Sequence, residues 1–186
     1  MTIHIKNMVC NRCITAVEDV FRNSEIDFVS VNLGWVDIST EISKNQLEKL
    51  NENLKKIGFE ILEDASQKQI ESIKKLILEK VQNLDIDEDF LLSKYLSDQL
   101  NKEYSSISKV FSQTENITLE QYFILQKIEK VKELLIYREL TLSQIADKLG
   151  YKTVQHLSQQ FKKITGFSPS QFQELKEKKR LPIDLI

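Results

Sequence analysis

The 186-residue sequence is poor in the residues that build several familiar kinds of site: it has 2 cysteines, 2 histidines and 4 glycines. Two cysteines cannot make the disulfide framework of a small secreted fold. The histidines, His4 and His156, lie far apart and have no cysteine or serine partner pattern, and the glycines form no phosphate-cradling loop. No catalytic constellation is left, so the chain is not expected to be an enzyme. No apolar run approaches the roughly 18 residues of a membrane span. The opening MTIHIKNMVC has neither a basic n-region nor an apolar h-region with a small-residue cleavage site, so a cytoplasmic location and reduced thiols are expected. An excess of one charge is missing too: the net charge is -2, and residues 85–186 carry as many acids as bases. That balance counts against a binder held to DNA mainly by phosphate neutralisation. With 29% charged and 41% apolar residues, the composition is that of a globular chain of one or two domains.

The most constrained stretch is Leu140 to Lys176, LTLSQIADKLGYKTVQHLSQQFKKITGFSPSQFQELK. Ile145, Ala146 and Leu149 are helically spaced before Gly150, and Val154, Leu157, Phe161 and Ile164 are helically spaced after it. A small residue at Ala146 lets two helices approach, and Gly150 takes the positive φ of a sharp reversal. The spacing predicts helix, tight turn, helix. With its apolar stripe inward, the second helix turns Thr153, Gln155, His156 and Gln159 outward near its N-terminal end, with Lys162 and Lys163 one turn further on. That is where a recognition helix meets base edges, and glutamine suits adenine. His156 is read as a surface histidine on a DNA-facing helix, because one isolated imidazole makes no metal site. Phe111, Phe161, Phe167 and Phe172 are expected in the core.

The segment resembles the second helix-turn-helix of the AraC/XylS family of bacterial transcription regulators, whose signature ends in a pattern like FKKITGFSPSQF. The matching positions include Ile145, Ala146, Gly150, Tyr151, Phe161, Gly166, Pro169 and Phe172. The family carries two such units on a long connecting helix, and the sequence repeats itself accordingly. Ile107, Ser108, Phe111, Thr118, Gln121 and Tyr122 mirror Leu157, Ser158, Phe161, Ser168, Gln171 and Phe172. Asn101 and Asn116 stand where Gly150 and Gly166 do, and asparagine tolerates the left-handed region. The first recognition helix would expose Ser105, Ser106, Ser108 and Lys109, small groups suited to backbone more than to bases. Between the units, Leu119 to Tyr137 reads as one helix with Leu125, Ile128, Val131 and Leu135 inward. At about 1.5 Å per residue it spans close to 30 Å, comparable with the roughly 34 Å of one DNA turn. The resemblance runs from about Phe90 to Lys178.

The first 64 residues read differently. Ile3 and Ile5 mark a strand and Ile14, Val17 and Phe21 a helix from about Arg12 to Arg22. Phe28 to Leu33 and Trp35 to Thr40 form a hairpin, with Val29, Val31, Leu33 and Val36, Ile38 alternating about Gly34. Leu47, Leu50, Leu54 and Ile57 define a second helix stopped by Gly58, and Phe59 to Leu62 forms a last strand. The order βαββαβ is the ferredoxin-like arrangement. NMVCNRC, from Asn7 to Cys13, falls between the first strand and first helix. It resembles the heavy-metal-associated domain of copper chaperones and copper-transporting ATPases, whose motif is usually GMxCxxC; Asn7 replaces the glycine. Two soft thiolates at a helix N-terminus, with Arg12 nearby, suit linear coordination of Cu(I) by Cys10 and Cys13, and other soft metal ions fit the same donors. Zn(II) would want four ligands. Met8 is expected to anchor the loop in the core.

The expected architecture is therefore an α+β ferredoxin-like domain (1–64), a linker helix (65–84), an all-α double helix-turn-helix domain (85–180) and a tail (181–186). The acidic run Asp85 to Asp89 reads as a solvated cap before the next helix. The function implied is a Cu(I)-responsive, sequence-specific DNA-binding regulator of copper homeostasis genes. Its partners would be double-stranded DNA, with a copper chaperone or a second copy of the chain as further candidates, and no membrane. The alternative is a cytoplasmic copper carrier or thiol protein whose C-terminal half docks other proteins.

Overall fold

The computed structural model describes residues 1–62 and 64–175. The tail 181–186 and the basic run Lys176 to Arg180 lie outside the described residues. The chain divides into two compact units, Met1–Lys75 and Leu76–Ile186, and the divide falls inside a helix rather than at a separate linker.

In the first unit, β1 (Thr2–Lys6), α1 (Asn11–Asn23), β2 (Phe28–Asn32), β3 (Trp35–Ile38), α2 (Lys44–Lys55) and β4 (Glu60–Leu62) follow one another. The strands form one antiparallel sheet in the order β2-β3-β1-β4, with β1 central. Alternation decides which side is wet: Ile3, Ile5, Val36 and Ile38 turn to one face, where Val17 and Phe21 of α1 and Leu50 and Leu54 of α2 cover them. α2 starts on a capping box in which Ser43 accepts from the Gln46 amide. The first part of α3 (Ala65–Gln82) belongs to this unit, and Lys75 sets its ammonium 4.6 Å over the Trp35 ring while donating to the Leu33 carbonyl at 3.2 Å.

Two apolar positions depart from the sequence expectation. Val29 alternates with Val31 and Leu33 in the sequence but is 72% exposed, because β2 slips register between Phe28 and Ser30. Val29 is the extra residue of a β-bulge, and one added residue reverses the alternation. Ile57 is exposed because α2 stops at Lys55, so the chain has left the helical course before Ile57 is reached.

In the second unit, α4 (Leu92–Leu100) and α5 (Tyr104–Glu115) make one helix pair, and α7 (Leu142–Lys148) and α8 (Val154–Thr165) make another. α6 (Leu119–Tyr137) joins them and α9 (Pro169–Glu174) closes the described residues. The repeat seen in the sequence is a repeat of caps. Thr118, Thr141 and Ser168 each start a helix with a capping box, and Asn101, Asn116 and Gly166 each end one in the left-handed region. α6 has the bounds the spacing predicts, but it is buried further round than its apolar stripe: Gln126, Lys127, Glu129 and Lys130 are buried as well. Lys130 reaches Gln82 and Glu133, each at 2.7 Å, and Lys132 pairs with Glu129.

The acidic run is more than a solvated cap. Asp85, Asp87, Glu88 and Asp89 are exposed, but Ile86 between them is buried and forms a parallel bridge with Leu149. Gly150 is required there twice over: its φ is +67°, and a Cβ would stand 2.7 Å from the Asp87 carbonyl oxygen. Phe167 is the other correction. Phe111, Phe161 and Phe172 are buried, but Phe167 is 42% exposed because the chain reverses at Gly166 and the Thr165 hydroxyl ties down the Phe167 amide, turning the ring outward.

Candidate nucleic-acid interface and thiol pair

α8 begins where Thr153, in extended conformation, accepts a hydrogen bond from the His156 amide at 3.1 Å. The Thr153 hydroxyl thus serves as the N-cap, which fixes where the helix starts. Leu157 and Phe161 are fully buried, and this leaves Gln155, His156, Gln159, Lys162 and Lys163 exposed on one side together with Thr153. Ile164 sits at the end of the same apolar stripe yet is partly exposed beside Ile117 and Leu125. On α5, Ile107 and Phe111 are buried, Ser105, Ser106 and Lys109 are exposed, and Ser108 is half-buried. Of the residues expected to face DNA, all but the half-buried Ser108 are exposed, and they fall on α5 and α8. Short hydroxyls dominate on α5. Amides, an imidazole and two ammonium groups dominate on α8.

Behind α8 lies an arrangement that the sequence reading missed. Tyr151 is buried, donates its hydroxyl to the Gln160 side-chain oxygen at 2.6 Å, and meets the His156 ring edge-on at 5.4 Å. The Lys127 ammonium stands 4.0 Å from the centre of the Tyr151 ring and 5.1 Å from that of Phe123, and donates to the Leu149 carbonyl at 3.1 Å. Burial pulls the Lys127 ammonium down to about 8 and pushes the Tyr151 phenol up. The available signal was a lysine in the middle of an apolar stripe, between Phe123 and Val131 at four-residue spacing.

The two cysteines lie in the first unit. Cys10 is the N-cap residue of α1 and Cys13 is in its first turn; their sulfurs are 3.5 Å apart and both residues are half-buried. Burial raises the Cys10 thiol, but hydrogen bonds from Cys13 and the Arg12 amide, with the Arg12 charge, outweigh it and leave Cys10 below its ordinary value. Cys13 moves the other way, raised by burial and by the neighbouring Cys10. The pair is thus asymmetric, which the motif alone did not reveal. Met8 is buried beneath the loop in the same core as α1 and α2. Asn7 has φ +70°, its side chain donates to the Gly58 carbonyl at 2.9 Å, and its amide donates to the Glu71 carboxylate at 3.1 Å. His4 is on β1 and His156 on α8, so they belong to different units.

The profile of a family described as "Helix-turn-helix domain" matches residues 96–175. A curated relative, the "Probable transcriptional regulator LumQ" of Photobacterium leiognathi, is 28% identical over 107 residues, covering 50% of this chain and 42% of that protein. Among solved structures, the C-terminal domain of AraT, a response regulator from Geobacillus stearothermophilus, is 24% identical with a TM-score of 0.50, covering 61% of this chain and 88% of that one. The C-terminal domain of the response regulator yesN from Fusobacterium nucleatum is 29% identical with a TM-score of 0.48, covering 55% of this chain and 99% of that one. Residues 96–175, within the second unit, match a helix-turn-helix domain, and the fold there is similar to that of the AraT C-terminal domain. Among the described residues, no helix is long and apolar enough to cross a membrane.

Proposed function

We propose that this protein is a sequence-specific DNA-binding transcription regulator of AraC type whose activity responds to a soft metal ion, Cu(I) first among them, and that it controls genes of copper homeostasis. The observation that carries the DNA half is that α5 and α8 each bury an apolar stripe, Ile107 and Phe111 or Leu157 and Phe161, leave polar residues exposed, and end in the left-handed region at Asn116 or Gly166. The near-even charge places the burden on base contacts from α8 rather than on phosphate attraction. Support for the metal half comes from the first unit. Its βαββαβ order and β2-β3-β1-β4 sheet fit a ferredoxin-like, heavy-metal-associated domain, and Cys10 and Cys13 stand together at the N-terminus of α1. Two thiols with a buried Met8 below them suit a two-coordinate soft cation. Cys10 and Cys13 would hold it. Metal alters DNA affinity only to the extent that it binds the DNA-competent and incompetent arrangements unequally.

The test is a fluorescence-anisotropy titration of promoter fragments, including the protein's own upstream region, by metal-free protein and by protein loaded anaerobically with one Cu(I). A metal-dependent change in affinity that vanishes in C10S/C13S is expected. Specific binding indifferent to metal would remove the sensor half, and absence of specific binding in both states would favour a copper carrier.

A further inference from the structure

Lys127 lies mid-way along α6, 8% exposed, and among the described residues it pairs with no carboxylate. An ammonium group taken out of water without a counter-charge opposes folding, so its position calls for a compensating use. Its partners supply one. Leu149 ends α7, and its carbonyl is one of the orphan acceptors at the negative end of a helix. Tyr151 lies two residues further, beyond the Gly150 reversal. One cation therefore grips both sides of the turn between α7 and α8, from the helix that connects the two reader units. Tyr151 carries that grip into α8 through the hydroxyl bond to Gln160 and the ring contact with His156.

Building on the DNA-reading function proposed above, we infer that Lys127 is a positioning residue for the second reader: through Leu149 and Tyr151 it fixes the rotation of α8 that aims Gln155, His156 and Gln159 at base edges. Being buried, it neutralises no phosphate. Its contribution is to discrimination between sequences and not to counterion release. The neutral isostere methionine fills the same space but leaves the Leu149 carbonyl unpartnered and the Tyr151 ring unpinned. Arginine restores a cation and donors.

The experiment selects a duplex from a random pool with the full wild-type chain, metal-free and Cu(I)-loaded in parallel. Wild type, K127M and K127R are then titrated on the selected duplex and on a scrambled one over a range of salt. K127M should lose about tenfold or more of the selected-to-scrambled affinity ratio, the scale of one lost bidentate base contact. Its affinity for the scrambled duplex and its salt slope should match wild type, and K127R should recover most of the ratio. A K127M ratio within about twofold of wild type overturns the inference, as does an equal loss on both duplexes with a changed salt slope. If K127M lacks the wild-type helical circular dichroism, Tyr151→Phe decides, since it keeps the ring and cuts only the link to Gln160. A reduced ratio supports the inference and an unchanged one overturns it. A pool from which the wild-type chain enriches nothing removes the DNA reading and the inference together, whereas enrichment with an unchanged K127M ratio removes the inference alone.

Discussion

The stability of the second unit should rise with pH between about 8 and 10.5, and Lys127 should be the cause. The folded-state pKa of Lys127 is held at about 8 by burial, below the ordinary 10.5 of a lysine in the unfolded chain. Between those values the unfolded chain binds the proton and the folded chain does not, so raising the pH favours the fold. At about 1.4 kcal/mol per pKa unit, the cost of keeping the ammonium charged at neutral pH is about 3 kcal/mol. K127M removes that cost, but it also removes the hydrogen bond to Leu149 and the contacts with the Tyr151 and Phe123 rings. A buried carbonyl left unpaired costs about 1–3 kcal/mol, and each desolvated cation–π contact is worth up to about 2 kcal/mol. The two sides oppose one another at pH 7, so the pH dependence of the difference between K127M and wild type, and not its value there, is diagnostic. As pH rises to 10.5, wild type gains about 3 kcal/mol relative to the variant. Urea denaturation of the full chain at pH 7, 9 and 10, followed by circular dichroism, gives both curves. Parallel pH profiles for wild type and K127M would show that Lys127 is not desolvated in the folded protein, and the reasoning would fail.

Two further outcomes follow from local geometry. Gly150→Ala should lower stability by roughly 2 kcal/mol or more, since an L side chain at positive φ costs about 1–2 kcal/mol before its Cβ meets the Asp87 carbonyl; a thermal midpoint equal to wild type would mean that the 85–89 segment does not hold to the turn. Iodoacetamide under limiting conditions near neutral pH should label Cys10 ahead of Cys13, because Cys10 is shifted below its ordinary value and Cys13 above it. Peptide mass spectrometry reads the order, and preferential labelling of Cys13 would reverse the assignment.

Much of the helical half was legible in the sequence because its signals are local. A stripe at helical spacing acts within a few residues, and it placed α6 at Leu119–Tyr137. What escaped was non-local. Val29 was misread because a bulge is a mismatch between two strands and leaves no mark on one of them. Phe167 was misread because a Gly166 turn decides its direction, and Ile57 because α2 ends two residues before it. The exposed polar residues of α5 and α8 could be listed from periodicity, but not Lys127 or Tyr151, whose meaning depends on which carbonyl and which ring lie opposite them. The thiol pair was legible as a motif; its asymmetry came from hydrogen bonds to Cys10 that only the folded loop supplies.

The charge balance of the second unit ties these points together. In the proposed DNA-binding function, a domain with little net positive charge gains little affinity from counterion release, so its discrimination would rest on how sharply α5 and α8 are held. The α5 face of serines and one lysine asks for little precision, since phosphate contacts tolerate small rotations. The α8 face asks for much more, because a glutamine meets an adenine edge through two bonds at once and loses both when the helix turns. The buried cation, its aromatic seat and the bond from Tyr151 to Gln160 are all on the α8 side, next to the Ile86–Leu149 bridge. A buried ammonium opposed to folding thus stands beside α8, the helix whose orientation the proposed base reading would depend on most.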